Sequence, residues 1–442
     1  MSCNWPIQKL GDLCKEITVG YVGSMTKEYV DDGVPFFRSK NISEYQINWD
    51  DIKYVSPEFH QKLKKSSLSS GDVAIVRTGK PGTCCVIPED VAEANCSDIV
   101  IARVDESKLC AHYLSFFMNS IANHQVSSRL VGAVQQHFNV SAAKQIEIPL
   151  PSRSEQTKIV HVLKTISDKI SLNIRTNHTL EEMAQTIFKS WFVDFDPVKA
   201  KMNGEQPEGM DAATASLFPE KLVESELGLI PEGWEVGTLD SHTSMIIDHR
   251  GKTPKKLGSD WVEEGYPAIS AKNIKSKKIV RPDTIRFIDE ATYKKWMKEP
   301  LIKGDIIMTS EAPMGELYFF DGSEDFCLSQ RLYGLRANSN VCSPEFLFNW
   351  LQTTKAKADM EGRASGTTAL GIKQAELRKV KILTPPLELL EKYSAVASNL
   401  VDMAAKNNAQ NTVLEDLRDT LLPKLLSGEI ELGQAQELAE VE

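Results

Sequence analysis

Residues 159–191 read IVHVLKTISDKISLNIRTNHTLEEMAQTIFKSW, and this stretch decides the fold. Its seam positions follow a strict 4, 3, 4, 3 spacing, which is typical of a helix that packs along one side of a partner helix. The seam is apolar at both ends and carries two Asn residues at its middle. The seam residues are Ile159, Leu163, Ile166, Ile170, Asn173, Asn177, Leu180, Ala184, Ile187 and Trp191.

The same seam occurs again 234 residues later, within residues 393–425, with the same polar defect. Asn407 and Asn411 are the two central positions of this second copy. If the two helices pair antiparallel about a twofold axis, Asn173 faces Asn411 and Asn177 faces Asn407. The second seam consists of Tyr393, Ala397, Leu400, Ala404, Asn407, Asn411, Leu414, Arg418, Leu421 and Leu425.

Polar seam residues specify register, because a shifted pairing buries an amide against leucine and leaves its donors unpaired at about 1–3 kcal/mol each. The two helices therefore resemble a ruler of fixed length. The alternative is that the Asn positions are solvated gaps in two unrelated helices.

The repetition extends into the segment in front of each helix. GVPFFRSKNI at residues 33–42 matches GYPAISAKNI at residues 265–274, and Gly-Asp pairs at 71–72 and 304–305 both precede apolar strand patterns. The loops between these anchors differ: RTGKP at 77–81 stands opposite SEAPM at 310–314. A shared frame with divergent loops is expected of two readers of different targets. Neutral drift of surface loops after duplication is the alternative.

Period-2 and helical patterns predict an α+β fold with two similar domains and two long helices that form an antiparallel coiled coil with a pseudo-twofold axis. Buried strands are predicted at 72–76, 99–102 and 305–308, and helices at 113–122 and 344–351. Each long helix has roughly 40 residues and is therefore about 60 Å long. The predicted segments are a first domain (1–150), a first helix (151–196), a linker (197–230), a second domain (231–384), a second helix (385–428) and an acidic tail (429–442).

Composition limits the function classes. The chain has 442 residues, a formal charge of −10 and 25% charged residues, which describes a soluble protein without wholesale nucleic-acid affinity. A local basic run at residues 272–286 is an exception, although a strand edge protected by lysines explains it equally well. No Cys-x-x-Cys pair, signal region or long apolar run occurs, which predicts a cytoplasmic protein with reduced thiols and no metal site.

Catalytic motifs are absent from the sequence. No phosphate-binding Gly-x-x-x-x-Gly-Lys-Ser/Thr loop, no Gly-x-Gly-x-x-Gly turn and no Asn/Asp-Pro-Pro-Tyr/Phe segment occurs. We therefore expect a protein that binds a target without transforming it.

Three stretches resemble the specificity subunit of type I restriction–modification enzymes. They are FKSWFVDFDPV at 188–198, GLIPEGW at 228–234 and LLPKLLSGEI at 421–430. PSRSEQ at 151–156 matches the family's Glu-Gln entry to the first long helix, whereas the second copy keeps the prolines at 385–386 and lacks Glu-Gln. The resemblance extends to about residue 432.

The resemblance implies a target recognition domain in each half, each reading one half of a bipartite, non-palindromic DNA site. It implies that the helices set the spacer, of about 6–8 base pairs given the helical repeat of DNA, and dock two modification subunits. Restriction subunits complete the implied complex. S-adenosylmethionine, ATP and Mg are expected on these partner subunits and no cofactor on this chain.

Readers of duplex DNA offer cations to phosphates and forked polar groups to base edges. The candidates, chosen by side-chain type, are Arg38, Lys40, Asn41, Arg77, Thr78, Lys80, Gln135, Gln136 and His137 in the first domain and Arg250, Lys252, Lys255, Lys256, Lys272, Asn273, Lys275 and Ser310 in the second. Two other functions stay open: a two-domain coiled-coil scaffold that binds proteins without DNA, and a DNA-modifying enzyme with unrecognised motifs.

Overall fold

A computed structural model describes residues 5–25, 27–131, 137–366 and 370–430. The chain divides into two compact units: unit 1 comprises Met1–Arg175 and Asn407–Glu442, and unit 2 comprises Thr176–Lys406. Each unit contains one β-rich domain and part of each of two long helices. The predicted α+β class, with two similar domains and two long helices, is confirmed.

The described residues of the first domain form short strands and short helices. Its strands are β1 (Ile7–Lys9), β2 (Cys14–Val19), β3 (Tyr29–Val30), β4 (Val34–Phe37), β5 (Ile42–Ser43), β6 (Gln46–Ile47), β7 (Lys53–Val55), β8 (Ser67–Leu68), β9 (Val73–Val76), β10 (Cys84–Val86), β11 (Ala94–Cys96), β12 (Ile99–Val104) and β13 (Glu147–Pro149). Its helices are α1 (Leu10–Leu13), α2 (Pro57–Lys62), α3 (Ala111–Asn119), α4 (Asn123–Ser127) and α5 (Val140–Lys144).

Two sheets form the body of this domain, in the orders β10-β9-β12-β2 and β3-β7-β4-β11-β8. The second sheet contains a parallel pair, β4 with β11. The strands predicted at 72–76 and 99–102 are β9 and β12, and all four residues of β9 are buried, as expected for a continuous apolar run in a sheet interior. The helix predicted at 113–122 is α3, which begins at Ala111.

The first long helix, α6 (Arg153–Phe192), has 40 residues and begins after the prolines, as predicted. Ser152 and Glu155 cap its first turn reciprocally, because each side-chain oxygen accepts a bond from the other residue's backbone N–H (3.3 and 2.9 Å). Gln156 is fully buried and attaches the helix to the domain, accepting from Cys110 N (2.8 Å) and donating to Lys108 O (3.0 Å). The Glu-Gln pair thus joins helix and domain.

The segment 197–230, predicted as a linker, contains regular structure that the sequence does not predict. This segment forms α7 (Asp196–Met202), α8 (Ala212–Ser216) and a hairpin of β14 (Leu222–Ser225) with β15 (Gly228–Pro231). Its apolar side chains Val198, Phe218 and Ile230 are buried in the core of unit 2. Burial of these few residues orders a stretch whose Pro and Gly content is typical of a loop.

The second domain repeats the first. Its strands are β16 (Glu235–Thr238), β17 (Thr243–Asp248), β18 (Tyr266–Ile269), β19 (Ile274–Lys275), β20 (Lys278–Ile279), β21 (Arg286–Ile288), β22 (Ile306–Thr309), β23 (Leu317–Phe319), β24 (Cys327–Leu328), β25 (Leu332–Ala337) and β26 (Lys381–Thr384). Its helices are α9 (Leu239–His242), α10 (Glu290–Trp296), α11 (Pro344–Trp350), α12 (Thr354–Arg363) and α13 (Gln374–Leu377). The order β17-β25-β22-β23 is that of β2-β12-β9-β10, and β21-β18-β24 is that of β7-β4-β11.

The matched glycines at the start of β4 and β18 explain part of this repetition. Gly33 has a φ of 151° and Gly265 a φ of 142°. A Cβ atom at either position would lie 2.4 Å from Val55 O or 2.5 Å from Ile288 O, in the strand paired alongside. Both turns therefore require glycine, because the neighbouring backbone leaves no room for a side chain.

The second long helix, α14 (Leu387–Ser427), has 41 residues. It ends at Gly428, which has a φ of 70°, and Glu429 N donates to Lys424 O (2.9 Å). Gly428, directly after the last helical residue Ser427, thus forms a glycine C-cap. Most of the predicted acidic tail, residues 431–442, lies outside the described residues.

The long helices pair antiparallel within each unit. In unit 1, the start of α6, at Ile159 and Leu163, shares a core with the end of α14, at Leu421 and Leu425. In unit 2, the end of α6, with Phe188, Trp191 and Phe192, shares a core with the start of α14, with Leu389, Leu390 and Tyr393. Each of these cores also includes residues of the unit's β-rich domain, so the helices are integral to both units.

In unit 1, Asn173 of α6 and Asn411 of α14 face each other, as the predicted antiparallel register requires. Asn173 Nδ2 donates to Asn411 Oδ1 (2.8 Å) and to Gln410 Oε1 (2.9 Å), and the Asn173 and Asn411 residues are only 2% and 8% exposed. In unit 2, Asn177 Nδ2 donates to Ala404 O (3.3 Å). The pairing of Asn177 with Asn407 stays a prediction.

Candidate nucleic-acid interface

A cleft of about 870 Å³ in unit 1 brings several first-domain candidates together. Lys40 reaches it from the 3-10 turn after β4, and Thr78 and Lys80 from the turn between β9 and β10. Side chains of α6 and α14, including Asp168 and Arg418, line its other side. A loop that differs between the two copies therefore faces a groove built on the long helices.

The charge of this first cleft is balanced. Its cations are Lys40, Lys80 and Arg418, and its carboxylates are Glu44, Asp168 and Glu415. Arg418 is a seam position of α14, where it interrupts an apolar pattern. Its guanidinium lies 5.2 Å from the centre of the Tyr45 ring and donates to Asp419 (2.9 Å). Because Arg418 is a charged residue at an otherwise apolar seam position, the sequence alone could have indicated that this part of α14 faces a groove.

Three first-domain cations surround one carboxylate. Arg38 and Lys40 hydrogen-bond Asp51, and Lys53 Nζ lies 3.0 Å from Asp51 Oδ1. Hydrogen bonds from Lys40 and Lys53 hold the pKa of Asp51 well below its usual range. Arg38 and Lys40 therefore already pair with a carboxylate of their own domain, whether or not a phosphate from outside binds them.

Asp98 organises the next group of candidates. It accepts a hydrogen bond from Thr78, and Arg77 Nη1 lies 3.8 Å from its Oδ1. Phe138 N donates to Arg77 O (3.0 Å), which places His137 beside the Arg77 turn. The structure thus brings together Arg77, Thr78 and His137, while Gln135 and Gln136 lie outside the described residues.

Three of the candidates are buried inside the second and first domains and are not at the surface. Asn41 and Asn273 are fully buried, and their side-chain amides donate to backbone carbonyls that include Asn48 O (3.1 Å) and Val280 O (3.3 Å). Ser310 is 2% exposed at the end of β22. The Asn residues recur in both copies because they close the turn after β4 and β18, so a buried amide with all its partners inside the domain has no group to offer DNA.

The second-domain candidates divide into paired and exposed residues. The Arg250 guanidinium donates to both oxygens of Asp248 (2.8 and 2.7 Å) and lies 4.3 Å from the centre of the Tyr333 ring. Lys255, Lys256 and Lys275 are exposed, with Lys256 Nζ donating to Gly251 O (2.7 Å). Arg250 is therefore fixed in place, whereas the lysines remain available to solvent.

The remaining two candidates, Lys252 and Lys272, line a second cleft of about 330 Å³. Lys252 Nζ donates to Trp296 O (2.9 Å), and burial lowers the pKa of Lys252. Arg286 and Arg331 also line this cleft. Arg286 belongs to the basic run at 272–286 but is not among the sequence-based candidates. Arg331 is not among them either, because nothing in the local sequence indicates that the residue before β25 turns toward the cleft.

The described residues contain neither a candidate metal site nor a disulfide bond. No group of three or more described His, Cys, Asp or Glu side chains could hold a metal ion. The seven described cysteines are all free thiols. Throughout the described part of the chain, each helix is too short or too polar to span a lipid bilayer.

Comparisons with known proteins agree with this geometry. The family model for the type I restriction modification DNA specificity domain matches twice, at residues 3–182 and 231–415. The chain is 27% identical over 329 residues to the type I restriction enzyme HindI specificity subunit of Haemophilus influenzae, covering 65% of this chain and 70% of that protein. It is 24% identical to the MjaIX specificity subunit of Methanocaldococcus jannaschii, covering 98% of this chain and 94% of the relative.

A solved structure gives the same result for the fold. The crystal structure of the type I restriction–modification system S subunit from M. genitalium superposes with a TM-score of 0.57 at 15% identity, covering 96% of each chain. The family model occupies far more than half of this sequence, in two copies that coincide with the two β-rich domains and the adjoining helices. The chain therefore belongs to the specificity subunits of type I restriction–modification systems.

Proposed function

We propose that this chain is the DNA-recognition subunit of a type I restriction–modification complex. Each β-rich domain reads one half of a bipartite, non-palindromic site, and α6 with α14 sets the spacer between the halves. The observation that carries the proposal is the double match of one DNA specificity domain within a single chain. Two copies of one fold with different loops are suited to reading two different sequences.

The side chains support this role. Arg77, Thr78 and Lys80 belong to one turn of the first domain, and Thr78 and Lys80 line the first cleft with a hydroxyl group and a cation. Phosphate contacts position a protein on duplex DNA, whereas polar contacts to base edges select sequence. We assign both tasks to this turn and to its neighbours Lys40 and His137, with the exposed lysines of the second domain contacting its own half-site.

We propose that catalysis belongs to partner subunits. Two modification subunits carrying S-adenosylmethionine dock on the long helices, and restriction subunits use ATP and Mg. In this arrangement the chain supplies sequence choice and assembly and is not itself an enzyme. Its place of action is then the cytoplasm, where the host DNA lies.

The proposal is tested by mapping methylated adenines in the host genome by single-molecule sequencing, with and without this chain. Deletion should remove methylation from one bipartite motif, and the wild-type chain should restore it. The doubly substituted Lys40→Gln/Lys80→Gln chain should restore it poorly, since it loses two cations of the first cleft. Lys294→Gln is the matched control, because Lys294 is exposed, lies outside both clefts and pairs with Glu290 (2.6 Å).

An unchanged methylation pattern after deletion, together with no retention on duplex DNA at low salt, would refute DNA recognition. That pair of results would favour the protein-binding scaffold. Methyl transfer by the isolated chain would instead favour an enzyme.

A further inference from the structure

The second-domain cleft differs from the first in its charge. Four cationic side chains line it, Lys252, Lys272, Arg286 and Arg331, and the described lining residues include no Asp or Glu. The remaining polar lining includes hydroxyl groups of Thr253, Ser270, Thr284 and Ser329. A concave surface with four cations and hydroxyl donors is complementary to an anion.

The internal repeat shows what this cleft lacks. In the first domain, Asp51 occupies the centre of the Arg38, Lys40 and Lys53 cluster. Lys272 is the counterpart of Lys40 in the matched KNI sequence, and Arg286 is the counterpart of Lys53, because Arg286 pairs with Ala268 as Lys53 pairs with Phe36. Asp51 lies two residues before Lys53, and Thr284 lies two residues before Arg286. Thr284 is therefore at the position equivalent to Asp51. The two cations are kept, and the carboxylate between them is replaced by a neutral hydroxyl.

No nearby acid takes over this role. Within the described residues, neither Lys272 nor Arg286 has a carboxylate within ion-pair distance, and Arg286 instead lies 3.8 Å from the centre of the Trp261 ring. Asp283, next to Thr284, does not line the cleft. Arg331 is the exception, since its Nε lies 2.8 Å from Glu311 Oε1. Two cations therefore remain uncompensated where the first domain has an internal counterion.

A buried donor adds an independent observation. Trp296 lines the cleft and is 1% exposed, and its indole Nε1–H has no hydrogen-bond acceptor among the described residues. Buried N–H groups are almost always paired in folded proteins. Its backbone carbonyl already accepts from Lys252 Nζ, and burial and the nearby Lys298 charge lower the pKa of Lys252. The cleft therefore combines crowded positive charge with an unused donor.

We propose that this cleft binds one phosphodiester group of duplex DNA, which supplies to Lys272 and Arg286 the negative charge that Asp51 supplies internally to the first domain's equivalent cations. This rests on the proposed function, because it names a contact of the same recognition domain. The contact anchors the second domain to the DNA backbone and carries no sequence information of its own. The two domains thus hold DNA differently, although they share one fold.

The test introduces the missing carboxylate. Thr284→Asp places an acid between Lys272 and Arg286, and Thr284→Asn is the control of equal size without charge. Both variants lose the Thr284 hydroxyl, which accepts a hydrogen bond from Asn273 Nδ2 (3.0 Å). Any loss of folding that follows from this change is therefore common to both variants. Binding of the full chain to the mapped duplex and to a scrambled duplex is measured by fluorescence anisotropy between 50 and 200 mM salt, a range of about fourfold that resolves single phosphate contacts.

We expect Thr284→Asp to bind both duplexes about tenfold more weakly than Thr284→Asn. Its salt slope should be smaller by about 0.9, the value for one lost phosphate contact. Replacing phosphates singly by neutral methylphosphonates should identify one position in the second half-site where the two variants bind alike. Lys272→Gln should reproduce the slope change, since it removes the partner of the same phosphate.

Two outcomes would overturn the proposal. Equal affinities and equal salt slopes for Thr284→Asp and Thr284→Asn would show that no phosphate enters the cleft. Inorganic phosphate binding that is lost in Thr284→Asp, with DNA binding unchanged, would show that the site takes a free anion. Because the scrambled duplex is included, loss of sequence preference alone would count against the proposed function and not against the phosphate contact.

Discussion

Asn173 and Asn411 can lose their mutual hydrogen bond in two ways with different energetic consequences. Asn173→Leu alone leaves the buried Asn411 amide without its partner, and we expect the free energy of unfolding to fall by about 1–3 kcal/mol. Changing both residues to Leu removes both polar groups and extends the apolar seam, so the double variant should be more stable than either single variant. Urea unfolding of the single and double variants measures the difference. A neutral single substitution would contradict a role for this contact in stability.

His242 gives the second domain a defined pH dependence. The residue is fully buried, and burial lowers its pKa from the ordinary value. The unfolded chain takes up the proton near pH 6.5, whereas the folded chain resists protonation to lower pH. The contribution of neutral His242 to the free energy of unfolding is therefore complete above about pH 6.5. It is lost as the pH falls toward the pKa of His242 in the folded chain.

The measurement compares wild type with His242→Gln. We expect the free energy of unfolding to fall more steeply from pH 7 to pH 5 in wild type than in the variant. The other histidines are present in both chains, so their contributions cancel in the difference. Parallel curves would show that His242 does not titrate differently in the folded and unfolded states.

Residue types alone could not separate structural from exposed candidates. The KNI match at 40–42 and 272–274 mixes both kinds, because Asn41 and Asn273 close a turn from inside whereas Lys40 and Lys272 point into clefts. The loops that differ, such as 77–81, reach the clefts, and only tertiary structure shows which of their side chains are already paired.

The two long helices were predictable because their 4, 3 seam repeats over many turns. The buried strands were predictable because each contains a continuous apolar run. α6 and α14 begin and end within a few residues of the predicted limits, and β9 and β12 were recognised directly. The failure at 197–230 has a different cause. α7 and the β14–β15 hairpin are ordered by burial of single side chains such as Val198 and Ile230, and no local pattern reports such contacts.

The pairing of α6 with α14 in unit 1 can be tested by oxidation. Asn173→Cys combined with Asn411→Cys should form a disulfide within one chain under mild oxidation, because the two side chains face each other across the seam. The shift in electrophoretic mobility without reducing agent measures it. Asn173→Cys with Asn407→Cys is the control pair, one helical turn away along α14. More efficient bridging in the control would show a different register, and exclusively intermolecular products would refute the antiparallel pair.

At the scale of the whole molecule, each domain should read DNA independently. Exchanging residues 234–384 for the matching domain of a relative should change one half of the methylated motif and leave the other half unchanged. Each domain belongs to a separate compact unit, so base-reading energies at the two half-sites should be nearly additive. Motif mapping in the host measures the result. A simultaneous change in both halves would refute independent reading.

Each long helix contributes to both units, so we expect its length to set the spacer of the recognised site. Inserting one heptad into each helix, after Leu180 and before Asn407, preserves the seam and lengthens each helix by about 10 Å. Since base pairs rise about 3.4 Å each, the preferred spacer should grow by about three base pairs. Weaker binding is also expected, because three base pairs rotate the second half-site by roughly a third of a turn.

Binding to duplexes whose spacers differ by single base pairs measures this preference. A four-residue insertion at the same places is the control, since it breaks the heptad seam and should destabilise the helix pair without a defined new spacer. If the heptad variant still binds and its preferred spacer stays unchanged, the distance between half-sites is set by something other than these helices. The modification subunits that we propose to dock on the long helices would then be the component expected to determine it.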